Sequence, residues 1–219
     1  MSTRWQRVLS IATLCAAVTM GFGGAAVTAA PMSGMTDAKA AGLRVTLDTL
    51  LQEHAYLAAM ATGAALGGRQ ADFKAAAGAL DQNSIALSTT IGSVYGAGAE
   101  QAFLPLWRKH IGFIVDYTAG LAAKNKMQQD KAVSDLIGYT KDFGAFLHSA
   151  NPSLSADAVA DLVKEHVLTL KVVIDEQAAG HPMAASQALR AAAAHMQMIG
   201  DTLAAAIVAQ FPDKFAQLQ

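Results

Sequence analysis

The chain has 219 residues, of which 53% are hydrophobic, 15% charged and 6% aromatic, and its formal net charge is −1. Alanine alone occupies 48 positions. This composition excludes a disordered charged tail, a collagen-like repeat and a disulfide scaffold, and the near-zero charge gives no electrostatic reason to expect a nucleic-acid partner. Many alanines and few β-branched or aromatic residues favour packed helices. A protein with several membrane spans is the rival interpretation.

Residues 1–30 have the pattern of a secretory signal peptide. Two arginines precede an apolar run over 8–22, and small residues then lead to Ala30, near which we predict cleavage. The only cysteine, Cys15, lies inside the apolar run, so the mature chain has neither a disulfide nor a thiolate ligand. We therefore expect a periplasmic or secreted protein with a flexible N-terminus over 31–36 and no transmembrane span after cleavage.

From residue 36 onward, apolar residues recur at helical spacing, and turns rich in glycine, asparagine or proline interrupt this pattern five times. The region 37–219 is therefore predicted to be one all-α helical-bundle domain without strands. We expect six helices, approximately over 37–67, 70–96, 103–124, 127–149, 156–179 and 183–210. They would form three tandem antiparallel hairpins with a period of about 56 residues, over 37–97, 103–149 and 156–210.

Three histidines follow this period. His54, His110 and His166 are separated by steps of 56 residues. In an antiparallel hairpin, residues equidistant from the turn lie at the same height, here about 20 Å from it at a rise of about 1.5 Å per residue. The equidistant pairs are His54 with Asn83, His110 with Tyr139, and His166 with His195. If the hairpins pack side by side, these six side chains form one layer in the core.

This layer predicts a transition-metal site, because helical bundles build such sites from imidazoles on facing helices. The predicted ligands are His54, His110, His166 and His195, with Met198 as a thioether. The predicted supporting residues are Asn83, Tyr139, Glu53, Glu165 and Asp116. Imidazole beside thioether favours copper, with zinc and haem iron as alternatives. The competing interpretations are a structural module whose histidines satisfy one another, and a haem-binding bundle.

Several motifs are missing from the sequence. No Glu-x-x-His pair occurs, which disfavours a ferritin-like di-iron centre, and the lack of Cys-x-x-Cys-His excludes covalently attached c-type haem. The zinc-protease, nucleophile-elbow, Walker A and dinucleotide-binding motifs do not occur either. We therefore expect a role in binding, storage or sensing rather than an enzyme.

Two segments carry a resemblance to a known family. The first is Leu-Trp-Arg-Lys-His-Ile-Gly-Phe over 106–113 with Asp116 and Tyr117, and the second combines 195–200 with 206–212. They resemble a family of uncharacterised secreted bacterial helical domains, which sometimes accompany copper amine oxidase N-terminal-like segments. The resemblance covers most of the mature chain and implies a secreted helical domain. It does not imply amine oxidase activity, because the Asn-Tyr-Asp/Glu site of a topaquinone cofactor is missing.

Overall fold

The computed structural model describes residues 37–216, which form seven α-helices and no strand. The all-α prediction is confirmed. The predicted signal peptide, Cys15 and the segment 31–36 lie outside the described residues. The helices are α1 (Asp37–Leu66), α2 (Gln70–Tyr95), α3 (Ala97–Ala122), α4 (Lys126–Ala150), α5 (Ala156–Ala178), α6 (Pro182–Gln210) and α7 (Pro212–Phe215).

Helices α1 to α6 form a closed ring in chain order. Each helix packs against the helices that precede and follow it, and α6 packs against α1. The odd-numbered helices α1, α3 and α5 also contact one another, which places them at the centre of the bundle. Because each hairpin contributes one odd-numbered helix, equivalent positions of the three hairpins can meet there.

The three hairpins share one turn geometry. Gly68, Lys124 and Gly180 follow one another at the 56-residue period, and their φ angles are 67°, 54° and 74°. In each turn the N–H of this residue donates to the carbonyl three residues earlier, and the next N–H donates to the carbonyl five residues earlier. This Schellman arrangement satisfies the last carbonyls of the helix. The period of the sequence is therefore present in the backbone as well.

The second hairpin begins earlier than predicted. Helix α3 begins at Ala97 rather than at residue 103, and Gly96, with a φ of 90°, is the only residue between α2 and α3. In the sequence, the glycine at position 98 favours a longer loop between the second and third helices. Glycine lowers helix propensity by only about 1 kcal/mol relative to alanine, so Gly98 does not prevent a helix from beginning at Ala97. Helix α7, one turn after Phe211, is absent from the predicted set.

Two hydrophobic clusters lie along the bundle, one on each side of the level of the three histidines. The first is rich in aromatic residues and includes Phe103, Trp107 and Phe143. The second lies toward the hairpin turns and is built mainly from aliphatic residues and alanine, among them Leu136 and Leu170, together with Tyr117. A polar layer is thus enclosed between two apolar layers.

Among the described helices, α6 alone is long and apolar enough, by length and composition, to cross a membrane. Half of its most apolar window is buried within the bundle. Its neighbours there are α1 and α5. Such burial is also found in the core helices of proteins that do not span a membrane.

The left-handed backbone at Lys124 generates a stability prediction. A residue with a Cβ pays about 1 kcal/mol for this conformation and glycine does not, so Lys124→Gly should raise the free energy of unfolding by about 0.5–1 kcal/mol. Thermal unfolding followed by circular dichroism should show a Tm higher by about 2–4 °C. The control is Ala123→Gly, where φ is −83° and glycine should lower Tm. Equal shifts for the two variants would contradict the prediction.

Candidate metal centre

The three histidines of the 56-residue period meet at the centre of the bundle. His54 on α1, His110 on α3 and His166 on α5 are 1%, 2% and 3% exposed. The Nε2 atoms of His54 and His110 are 3.3 Å apart. One ring nitrogen from each of the three side chains lies within 4.8 Å of the other two. The structure therefore brings together three of the four predicted histidine ligands.

Asn83, Tyr139 and His195 are the residues that lie opposite the three histidines in their hairpins. Two of them make the same hydrogen bond to a leucine carbonyl. The side-chain Nδ2 of Asn83 donates a hydrogen bond of 2.8 Å to the carbonyl of Leu50. At the equivalent place in the third hairpin, His195 Nε2 donates to the carbonyl of Leu162, also at 2.8 Å. In the second hairpin Tyr139 instead stacks on His110, with ring centroids 5.0 Å apart. These residues lock each even-numbered helix onto the helix that carries the histidine.

His195 and Met198 stand outside the three-histidine cluster. His195 is buried, but its Nε2 is occupied by the carbonyl of Leu162. Met198 is 53% exposed, and the buried methionine of this part of α6 is Met196. The predicted core-facing position of Met198 is thus wrong, because the buried face of α6 is centred between His195 and Met196, and Met198 lies beyond its edge.

The three predicted acidic supports are all exposed at the surface. Glu53 accepts a hydrogen bond of 2.8 Å from Asn83, so it reaches the cluster only through that amide. Asp116 does not pair with Lys109, which contacts Asp142 at 3.3 Å instead. Among the described residues, no carboxylate joins the three imidazoles.

Burial keeps all three imidazoles neutral at physiological pH. It lowers the pKa of His110 to about 3 and that of His166 to about 4, and it lowers the pKa of His54 well below its ordinary value. Proximity adds to this effect, because a charge on one ring would repel a charge on the next. The indole of Trp107 covers the rings of His54 and His110, with centroid distances of 4.9 and 4.6 Å. A neutral imidazole is the form that binds a metal.

The imidazoles are short of hydrogen-bond partners. The Nδ1 atoms of His54, His110 and His166 are buried and have no partner among the described residues. The same is true of the hydroxyl of Tyr139 and of Trp107 Nε1. Buried polar atoms are normally paired, and an unpaired one costs about 1–3 kcal/mol. Such atoms are therefore concentrated around the three-histidine cluster.

The cluster stands between two voids. A void of about 30 Å³ has His110, His166, Tyr139 and Met196 in its wall. On the other side, a larger cavity of about 280 Å³ reaches His54 and His110. The small void exceeds the roughly 10–15 Å³ that a single water needs, so it can also hold an ion. Sequence reasoning missed Met196, which adjoins His195 in the chain but was not assigned to the core face.

The geometry suits a transition metal with nitrogen ligands. Two metal–nitrogen bonds of about 2.0 Å at a tetrahedral angle hold their nitrogens about 3.3 Å apart. This is the separation of Nε2 in His54 and His110. A ligand nitrogen of His166 lies within 4.8 Å of one ring nitrogen of each of the other two histidines.

Comparisons with protein-family models, curated proteins and solved structures yield no match for this chain. The resemblance to secreted bacterial helical domains stays a prediction.

The lowered pKa values predict acid sensitivity. The unfolded chain protonates its histidines below about pH 6.5, whereas the folded protein keeps these three imidazoles neutral. The free energy of unfolding is therefore highest above about pH 6.5, and it falls as the pH is lowered toward the pKa values of about 4 and 3 in the folded protein. Each ring contributes up to about 1.4 kcal/mol per pH unit. Urea unfolding of the metal-free protein between pH 7.5 and 5 should show this slope.

The matched variants are His54→Gln and His181→Gln. The first removes one of the buried rings and should reduce the slope by about one third, relative to the parent. The second removes an exposed histidine, which contacts Glu176 on the surface, and should leave most of the slope in place. Stability independent of pH between 6.5 and 5 would contradict the prediction.

Proposed function

We propose that this protein binds a transition metal through His54, His110 and His166, with copper favoured, and that its role is binding, storage or sensing. The observation that carries the proposal is the convergence of three buried, neutral imidazoles from three helices, with ligand nitrogens within 4.8 Å of one another. The burial of all three rings supports it, because enclosing imidazoles in an apolar core costs free energy unless their nitrogens find partners.

Copper is favoured by the chemistry of the surrounding side chains. The sulfur-containing side chain of Met196 shares the small void with His110 and His166. A set of imidazole and thioether ligands is soft and suits Cu(I) better than a hard divalent cation. The ligands also carry no charge, and a single positive charge is less costly than two in an apolar core. We therefore propose Cu(I), with Zn²⁺ as the competing ion.

Binding rather than turnover follows from the same residues. The cluster offers ligands and a phenol, Tyr139, whose pKa burial raises well above its ordinary value. The exposed acids Glu53 and Glu165 lie on the surface, away from the position a general base would need. We propose that the protein acts outside the cytoplasm, as the predicted signal peptide and the family resemblance both suggest.

A structural role is the second candidate, and one distance favours it. The 3.3 Å between Nε2 of His54 and His110 also fits a weak hydrogen bond between two neutral rings. In that case the cluster would only stabilise the core. Haem is disfavoured by the same distance, because a porphyrin cannot lie between two rings in contact.

Metal titration tests the proposal. Protein stripped with chelator should bind one Cu(I) per chain in competition with a coloured Cu(I) chelator, and Zn²⁺ at least about 10-fold more weakly. A metal that binds only the folded state at 100 times its Kd adds about 2.7 kcal/mol, so Tm should rise by about 5–10 °C. Quenching of Trp107 fluorescence by Cu²⁺ gives a second readout, since its indole contacts two of the ligand rings.

Matched histidine variants locate the site. His54→Gln, His110→Gln and His166→Gln should each weaken Cu(I) binding at least about 100-fold, and Met196→Leu about 10-fold. His148→Gln and His181→Gln change exposed histidines and should bind as the parent does. His195→Gln separates a three-histidine site from the four-histidine site that the sequence predicted. Less than 0.1 metal per chain and an unchanged Tm would favour the structural role.

A further inference from the structure

The larger cavity lies beside the three-histidine cluster and has a distinct chemistry. Its volume is about 280 Å³, and it is bounded by α1, α2, α3 and one residue of α5. Its inner end reaches His54 and His110. It extends along α1 to Ala65, eleven residues and about 16 Å from His54 at the helical rise. A cavity of this length has room for a molecule of several carbon atoms.

The wall of the cavity is apolar. Alanine, valine, isoleucine, leucine and phenylalanine supply most of it, and it contains no Lys, Arg, Asp or Glu. The hydroxyl of Thr62 already donates to Gln177 Oε1, and that of Thr118 donates to the carbonyl of Ile114, both at 2.8 Å. The imidazoles of His54 and His110 are therefore the polar side chains at the inner end. A charged ligand would find no partner of opposite sign here and would pay its full desolvation.

The outer end communicates with the surface. Val115, which lines the cavity, is 46% exposed. Ala119 and Ala122 on the same helix line it and are exposed too, and Phe73 of α2 is half-buried. A ligand can therefore enter between α2 and α3 without unfolding the bundle.

We infer that this cavity binds a small, neutral, mainly apolar molecule about the size of two fused rings, which contacts His54 and His110 at its inner end. The size follows from the volume, because an apolar cavity of about 150 Å³ holds one benzene ring. The neutrality follows from the uncharged wall. The inference goes beyond metal binding, since His166 does not line this cavity, and it gives the three-histidine site a neighbouring ligand.

Indole is a suitable probe because it is neutral and bicyclic. With metal-free protein at about ten times its Kd, indole should raise Tm by about 3–5 °C, and indole-2-carboxylate should not raise it. In ¹H–¹⁵N spectra of the histidine rings, indole should shift the signals of His54 and His110 and leave those of His148 and His181 in place. No indole binding, or equal binding of the carboxylate, would overturn the inference.

Variants assign the binding to this cavity. Ala61→Leu places three additional carbons in the cavity and should weaken indole binding at least 10-fold, whereas the same substitution at the exposed Ala194 of α6 should not change it. Ala65→Phe, at the outer end, repeats the test without changing the deep core. Circular dichroism and Tm confirm that each variant is folded. Indole binding that survives both cavity variants would place the ligand elsewhere.

A further variant separates the two proposals. His166 does not line the large cavity, so His166→Gln should lose Cu(I) and keep indole. If the parent binds indole but no metal, the metal proposal fails and the cavity inference stands. If it binds Cu(I) but not indole, the cavity inference fails and the metal proposal stands.

Discussion

The central constraint on this core is the burial of three imidazoles where α1, α3 and α5 meet. Neutral rings can be enclosed there because Trp107, Tyr139 and the apolar clusters on both sides exclude water. This enclosure has a cost, since the rings keep buried nitrogens without partners. An alanine-rich helical core could have been closed with leucine at all three positions, at no such cost. Retaining three histidines makes sense if something outside the chain occupies the site.

The internal repeat explains how the site is assembled. Each hairpin contributes one histidine, and a turn with left-handed backbone at the same distance places it at the same height. The partner position differs between the hairpins and is occupied by Asn83, Tyr139 and His195. Asn83 and His195 keep the same hydrogen bond to a leucine carbonyl, but Tyr139 stacks on His110 instead. The core histidines thus share one geometry, while their surroundings differ in chemistry.

Much of the architecture could be predicted from the sequence, because helical periodicity and hairpin turns are local signals. The level of the histidines followed from their equal distances to the turns. Which side chains converge could not be predicted, because that depends on the rotation of each helix. Met196 and Met198 are two residues apart, about 200° around α6, so the rotation of that helix decides which of them faces the core. The two voids depend on side-chain packing between four helices, for which one sequence carries no local pattern.

The closed ring has a consequence for the order of the chain. Helices α1 and α6 pack side by side, and Arg44 near the start contacts Asp201 near the end. The first and last long helices of the bundle therefore lie side by side, and none of the three hairpins has a distinct terminal position in the ring. A circularly permuted chain that began at Ala97 or Ala156 would present the same three histidines to the same centre. The order of the hairpins along the chain could thus be changed by circular permutation while the positions of the three histidines stay the same.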